Sequence, residues 1–557
     1  MGAQTAPTRH PGRFPRFTEA YRQRWIDAGL WQDRTLHDLF DETVVAQPDK
    51  VAVASKERRM TFGEWKEESD ALAAGLLGVG IGPGDIVAVQ LPNWIEMCVL
   101  QIALSRIGAV IQPMHLVYRE REMRSLLQFC ESDAIVVPHS FGDFAYADAV
   151  QSMRGELPDL RLLVVARCDA AGEGALSLDD IIVEGRDHLD RLADVHPAPD
   201  DVFYLNFTSG TEGDPKGFLH THNTLISSFK TMAEMMRQFM PDTVNLANSP
   251  MTHSFGHFTT YQTALGGFPM VLVDRYRPLD VLELIQREHV STLSGTPAHL
   301  IGILHHPRFA EFDTSSVKNV GVGGARSSPE FIAELEQVWS VKSANTYGLG
   351  ENLAHTRTMP WDPEDKVRET VGKPLPGTEL RIVDPEDRSA ERSQGEIGEI
   401  VFRGPTLFLG YYRQPELTAA CRDDDGWFYT GDLGSIDEDG YLHFAGRGGE
   451  VINRGGTKIY PKEIEDLLLA HPDIEDAAVV GWPDERLGEQ VAAYVVPAAG
   501  REVTLDTLRA YLVGQRVMKY KSPEHLVILE ALPMTPTGKV RKVALRDDAA
   551  RRSKGEG

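Results

Sequence analysis

Phe207-Thr208-Ser209-Gly210-Thr211-Glu212-Gly213-Asp214-Pro215-Lys216-Gly217 is the most informative stretch of this chain. An apolar run, Val202 to Phe207, leads into it, and a second extended run, Phe218 to His220, leads out. Glycines let backbone N–H groups close on an anion, hydroxyls donate further bonds, and a lysine adds a point charge. Those are the components of a phosphate cradle. The spacing G-x-x-x-x-G-K-[ST] is not met, and no helical pattern opens directly after Lys216, so this is not the P-loop of nucleoside triphosphatases. Taken alone, the loop reads equally well as a solvent-exposed Gly/Ser/Thr turn.

Outward from the loop, short apolar runs alternate with amphipathic stretches. Ile86 to Leu91, Val202 to Phe207, Met270 to Val273 and Val317 to Val322 predict buried strands. Glu68 to Leu77, Val281 to Glu288 and Pro329 to Trp339 carry helical spacing. Such alternation predicts an α/β architecture with largely parallel sheets covered on both faces. Near Gly431 the texture changes. Asp437-Glu438-Asp439-Gly440 predicts a hairpin turn before a strand at Tyr441 to Ala445, and Gly446-Arg447-Gly448-Gly449 reads as a linker. Beyond it come a helix at Pro461 to Ala470, strands at Ala477 to Gly481 and Val491 to Val496, and a helix at Leu505 to Val513. This is the content of a small separate domain.

Composition bounds the class. A chain of 557 residues, 42% hydrophobic and 25% charged, is expected to form two or more globular domains. A net charge of -25 disfavours nucleic acid and anionic membrane as partners. Cys98, Cys130, Cys168 and Cys421 lie far apart, without the spacing of a zinc site or a disulfide framework. Met1 to Phe17 is polar and basic, lacking the apolar centre of a signal peptide, and Ser254 to Val273 is a poor membrane span. The expected location is the cytoplasm.

Four further segments accompany Thr208 to Gly217, in order. They are Thr346-Tyr347-Gly348-Leu349-Gly350-Glu351; Tyr429-Thr430-Gly431-Asp432-Leu433; Gly446-Arg447 through Asn453-Arg454-Gly455-Gly456-Thr457-Lys458-Ile459 to Glu465; and Pro536-Thr537-Gly538-Lys539. Together they resemble the motifs of the adenylate-forming superfamily, which holds acyl-CoA synthetases, aryl-acid ligases, adenylation domains and luciferase. Leu36 to Val51 and Thr61-Phe62 extend the resemblance upstream over nearly the whole chain. It implies a large multi-subdomain α/β N-terminal domain with parallel-rich sheets and a small mobile α+β C-terminal domain. The expected limits are a flexible tail at 1–17, the ATP- and acid-binding domain at 18–445, and the mobile domain at 446–557.

The implied activity is ATP-dependent activation of a carboxylic acid to acyl-AMP, with release of pyrophosphate, then transfer to a thiol. Charge gathers on oxygens as the carboxylate attacks the α-phosphorus, so electrostatic stabilisation should dominate. The resemblance assigns Thr208, Ser209, Gly210, Thr211, Gly213 and Lys216 to the phosphates, and Glu351 with Thr211 to Mg2+. It sets Tyr347 and Gly348 against adenine, with Gly324 and Ala325 on the opposite wall. Asp432 takes the ribose hydroxyls, Arg447 ribose or phosphate. Lys539 enters from the small domain to bridge carboxylate and α-phosphate. Singly, each residue also reads as a turn, core or surface residue. Two departures stand out. Glu212 replaces a common threonine, and Gly449 occupies the usual hinge position, where Glu450 or Gly448 could serve instead.

The acid pocket is expected beneath Pro250 to His253, with His253 as gate and Ser254, Phe255, Gly321, Val322 and Gly323 as walls. The opening Tyr21 to Trp31 and the run Ile452 to Gly456 look most like aryl-acid and alicyclic-acid ligases, and Ser254 argues against a catechol. An aromatic, alicyclic or short-to-medium-chain acid is the expected substrate. CoA is the expected acceptor, through Gly455, Gly456 and Lys458, with a carrier-protein phosphopantetheine arm as the alternative and a homodimer as a candidate assembly. Two contrasting readings are a non-catalytic nucleotide-binding relative, which would have no need of Lys539, and an oxygenase of the luciferase type.

Overall fold

The structure, a computed structural model, describes residues 10–207, 215–323, 329–341, 343–455, 457–515, 517–535 and 539–554; the side chains of 254, 255, 258, 329 and 330 are outside the described set. Two parallel-rich sheets form the bulk of it. The first has eight strands, running from the edge strand Gly410–Tyr411 through Gly217–Thr221, Val202–Phe207, Val110–Pro113, Ile86–Val89 and Ala134–Pro138 to Leu162–Ala166 and Leu176–Ser177. Its pairs are parallel except the two flanking Gly217–Thr221. The second has nine strands, with Asn245–Ala247, Met270–Leu272, Thr292–Gly295, Asn319–Val322 and Ser343–Tyr347 parallel at its centre.

The apolar runs become strands because both faces are covered. Ile86–Val89 is buried at every position, as is Val110–Pro113. The helix Phe62–Gly78 opens on a capping box between Thr61 and Glu64. It crosses Leu178–Arg186 so closely that a Cβ on Gly75 would meet the Ile181 carbonyl oxygen at 2.1 Å, and one on Gly185 that of Ala71 at 1.9 Å.

A third, antiparallel sheet of Glu379–Val383, Gly398–Arg403, Phe428–Ile436 and Leu442–Arg447 completes this body. Asp437 closes its last hairpin: one carboxylate oxygen accepts from the N–H groups of Asp439 and Tyr441, the other from Lys366 at 2.6 Å. The C-terminal sheet is separate, built from Ile452–Arg454, Thr457–Ile459, Ile474–Asp484, Gly488–Pro497 and His525–Ile528, with its own apolar cores. The expected fold class holds.

The N-terminal segment corrects one expectation. Residues 10–17 are not a flexible tail: Arg13 donates to Asp133 at 2.7 Å, and Phe14 and Phe17 pack against a core cluster. Among the described residues, His10, Asp85 and Asp133 alone group with metal-like spacing, but Arg13 and Arg161 already pair with those carboxylates. No helix among the described residues is long and apolar enough to cross a membrane.

Burial has a consequence for pH. Desolvation holds His37, His115 and His220 down to about 4 and His222 and His257 to about 3, from the ordinary 6.5. The unfolded chain therefore binds more protons between those values, and stability falls as pH drops from 6.5 toward 4, each residue adding up to about 1.4 kcal/mol per pH unit. The thermal midpoint should drop steeply between about pH 6.5 and pH 5; a flat profile there would mean these imidazoles accept protons in the fold.

Candidate active site

Three separate pieces of chain converge on one place. Strand Ser343–Tyr347 ends at Tyr347, and the following turn delivers Glu351. That turn is tight for steric reasons: a Cβ on Gly348 would lie 1.7 Å from the Leu353 carbonyl oxygen, and one on Gly350 would lie 2.5 Å from the Phe218 ring. Gly348→Ala should therefore cost at least about 2–3 kcal/mol and lower the thermal midpoint, while Gly449→Ala, with nothing within 4 Å of its Cβ, should be close to neutral. Equal midpoints for the two variants would overturn this account of the turn.

Glu351 is buried, and its Oε1 accepts from the Tyr411 hydroxyl at 2.7 Å. Tyr411 lies on the edge strand paired with Gly217–Thr221, the strand that carries the chain away from the phosphate loop. His220 on that strand bonds the Gly350 carbonyl at 2.7 Å through Nε2, and its Nδ1 lies 3.1 Å from the Thr224 hydroxyl. Neutral by burial, His220 holds the Glu351 turn without adding charge. Lys216 stands exposed at the start of the same strand.

Asp432 comes from the third sheet. It is directly opposite Arg447 across the hairpin, with Arg447 Nε 3.4 Å from Oδ1, while the Tyr347 hydroxyl donates to Oδ2 at 2.7 Å. Its backbone N–H donates to the Thr430 hydroxyl at 2.9 Å. Asp432 is 2% exposed, and burial raises its carboxyl; Arg447, Tyr347 and Lys539 oppose that rise, and Glu351 adds to it. Burial and the Asp432 charge push the Tyr347 phenol far up, so it stays a donor.

Lys539 comes from the C-terminal domain. Contacts with the residues before it hold it: Met534 bridges Val540, the Thr535 N–H donates to the Lys539 carbonyl at 2.6 Å, and the Lys539 N–H donates to the Thr535 hydroxyl at 3.0 Å. The residue presents exposed surface, and desolvation is the main cause lowering its ammonium. Arg447 lowers it further, whereas Asp432 and Glu351 raise it, so all four groups share one electrostatic site. The charge of Lys539 also acts on His253, whose ring stacks against His115 at 5.8 Å and is held neutral by burial, at about 3.

Lys539, Glu351, Asp432, Tyr347, Arg447 and His253 are thus brought together, and Gly348 shapes the turn between two of them. Thr208, Ser209, Gly210, Thr211, Glu212, Gly213, Gly324, Ala325 and Gly456 lie outside the described residues, as do the side chains of Ser254 and Phe255. Two expectations change, for Val322 and Gly449. Val322 turns its side chain into the apolar core with Val320, so it is not a pocket wall; Gly321, between them, faces the other way, toward Ser294. Gly323 is buried at the end of that strand. Lys458 is exposed and pairs with Glu386 of the large domain at 2.9 Å. Gly449 sits in a helical turn, Gly448–Glu450, without the positive φ that favours glycine, and Arg546 donates to its carbonyl at 2.9 Å. The positive φ falls on Gly446, at 123°, and on Gly455, at 57°.

Tyr411, His220 and His115 escaped sequence reasoning. A histidine within an otherwise apolar strand was the only available sign of His220; Tyr411, distant in sequence from Glu351, left none.

Known proteins fit this geometry. The AMP-binding enzyme family matches residues 40–412, and the AMP-binding enzyme C-terminal domain matches residues 463–539. The medium-chain fatty-acid–CoA ligase of Escherichia coli (strain K12) is 34% identical, over 96% of this chain and 94% of that protein. The 2-hydroxy-7-methoxy-5-methyl-1-naphthoate–CoA ligase of Streptomyces carzinostaticus is 32% identical over 99% of each. The crystal structure of ATP-bound MatB from Rhodopseudomonas palustris superposes with a TM-score of 0.80 at 29% identity, over 92% of this chain and 99% of that one. Its apo structure gives 0.73 at 28% identity, over 94% and 100%. The chain belongs to the AMP-binding enzyme family and is an AMP-forming acid–thiol ligase using ATP, magnesium and coenzyme A.

Proposed function

We propose that the chain joins an aromatic, alicyclic or medium-chain carboxylic acid to CoA in two half-reactions at the site of Glu351, Asp432 and Lys539. In the first, a carboxylate oxygen attacks the α-phosphorus, the bond to the β-phosphate oxygen breaks, and pyrophosphate leaves. In the second, the CoA thiol attacks the acyl carbon, AMP leaves, and the thiol proton is released. The observation that carries this reading is Lys539, held by Thr535 within electrostatic range of Asp432, Glu351, Arg447 and His253 at once. A cation set there lowers the repulsion between a carboxylate and a nucleotide phosphate.

Tyr347 offers a flat wall for adenine, and Asp432 accepts from the ribose hydroxyls. Arg447 and Lys216 face phosphate oxygens. Glu351 suits a hard cation: Tyr411 occupies Oε1, and Oε2 takes no hydrogen bond among the described residues. Magnesium bound there supplies charge neutralisation on the departing phosphates. The better superposition on the ATP-bound relative than on its apo form supports a closed arrangement for the first half-reaction.

The pivot for the second falls after Arg447 rather than at Gly449 alone. Glu450 and Glu465 both pair with Lys542 at 2.8 Å, tying the turn to the small domain. Four free cysteines, far apart, favour a reducing cytoplasm. The test is acid-dependent exchange of labelled pyrophosphate into ATP over a panel of aryl, alicyclic and straight-chain acids, followed by CoA addition. Exchange with one acid class, then CoA thioester and AMP, is the expected result; ATP binding without exchange for any acid would leave only nucleotide binding.

A further inference from the structure

Between the strand Asn245–Ala247 and the helix Ser254–Gly266 runs a segment that is neither helix nor strand and ends at His253. Side chains from the other large sheet hold it. The Asn93 amide donates to the Ala247 carbonyl at 3.0 Å and the Ser249 carbonyl at 2.9 Å, and its Oδ1 accepts from the Met251 N–H at 2.7 Å. Asn206 donates to the Thr252 carbonyl at 3.3 Å, and the Thr252 hydroxyl lies 3.3 Å from His115 Nδ1. Asn93, His115 and Asn206 stand at or just beyond the carboxyl ends of Ile86–Val89, Val110–Pro113 and Val202–Phe207, parallel neighbours in the eight-stranded sheet. Open α/β sheets bind their ligands at that edge. All three side chains are buried, so the place of His253 is set from the sheet across from its own.

His115 also supports the His253 ring itself. The two imidazoles stack with centroids 5.8 Å apart and planes 26° from parallel. His115 is well placed to steady another ring because its own position is fixed. Its carbonyl accepts from Gln90 Nε2 at 2.8 Å and from the Tyr118 N–H at 3.0 Å, and its ring meets Tyr118 edge-on at 5.3 Å. Burial holds both histidines neutral, His115 at about 4 and His253 at about 3, so neither repels the other at neutral pH. The charge of Lys539 reaches His253. One end of this chain of contacts is thus anchored in the first sheet, and the other lies beside the lysine from the small domain.

We infer that His115 is a positioning residue for the acid half of the reaction: through the Thr252 hydroxyl and the His253 ring it sets the His253 imidazole beside Lys539, where the carboxylate of the acid has to come. This rests on the ligase reading above and adds to it a residue that acts only through another. Without His115 the imidazole is free to turn among its staggered rotamers, and the Thr252 hydroxyl loses a partner. Asn93 and Asn206 still hold the backbone of the segment, so the loss falls on the ring and not on the fold. The nucleotide groups Asp432, Tyr347 and Glu351 are held by other contacts and should not feel it.

The test is pyrophosphate exchange with whichever acid of the panel above gives the most, reading kcat/KM for the acid and KM for ATP separately. His115→Ala should lower kcat/KM for the acid by about 10- to 100-fold and leave KM for ATP within about 2-fold, with thermal melts reporting that the fold persists. His115→Phe keeps a ring against His253 and should recover most of that loss. In a His253→Ala background there is no imidazole left to place, so adding His115→Ala should cost about 2-fold or less. A KM for ATP that rises as far as the acid kcat/KM falls would overturn the inference, as would an undiminished cost of His115→Ala in the absence of His253. Unchanged kcat/KM in His115→Ala would overturn it too, and in all three events the ligase reading stands. Where His253→Ala leaves too little exchange to read, recovery in His115→Phe decides: its absence overturns the inference. If no acid supports exchange by the unaltered chain, the ligase reading fails and takes this one with it.

Discussion

Lys539→Ala should cut acid-dependent pyrophosphate exchange by about 1,000-fold or more, while transfer to CoA from a supplied acyl-adenylate falls far less. Removing a single preorganised donor from a site of developing charge costs about 100- to 1,000-fold. Lys539 carries a full charge, and Arg447, a neighbouring cation, pairs with Asp432. Transfer from a preformed adenylate needs no carboxylate to be brought against a triphosphate, so that step should survive. The pH profile adds a second signature. The working form is the ammonium, and burial with Arg447 lowers its titration below the ordinary 10.5, so exchange should fall as pH rises, earlier than for a free lysine. Equal losses in both half-reactions would mean that the substitution acts on the fold and not on the chemistry.

Asp432→Asn should raise the KM for ATP by about 100-fold and leave the KM for the acid within a few-fold. A hydrogen bond to a charged acceptor contributes about 1.5–3 kcal/mol, and two ribose hydroxyls can engage this carboxylate. Asparagine keeps the shape and can still accept from Tyr347, so the thermal midpoint should move little. Arg447, 61% exposed on its side chain, loses a partner that solvent can replace. An unchanged KM for ATP would remove Asp432 from the nucleotide site.

How much of this was legible depends on whether a residue's partners are local. The strand Val202–Phe207 and the helix Pro329–Trp339 follow from unbroken apolar or 3.6-residue patterns, and their observed limits match the expected ones. Ordered motifs pointed to Glu351, Asp432 and Lys539, because their spacing along the chain reflects one shared geometry. What failed depended on direction or on distant neighbours. Val322 falls within the expected strand, but its side-chain face is set by the helices packed on the sheet. Gly449 occupies the hinge position in sequence, whereas Arg546, Glu450 and Lys542 decide how that turn is held. The ordered segment at 10–17 hangs on Asp133, far away in sequence.

The Tyr411–Glu351 and His220–Gly350 contacts fasten the Glu351 turn to two paired strands, Gly410–Tyr411 and Gly217–Thr221. A substitution that loosens either strand is therefore felt at the carboxylate, although neither strand carries it.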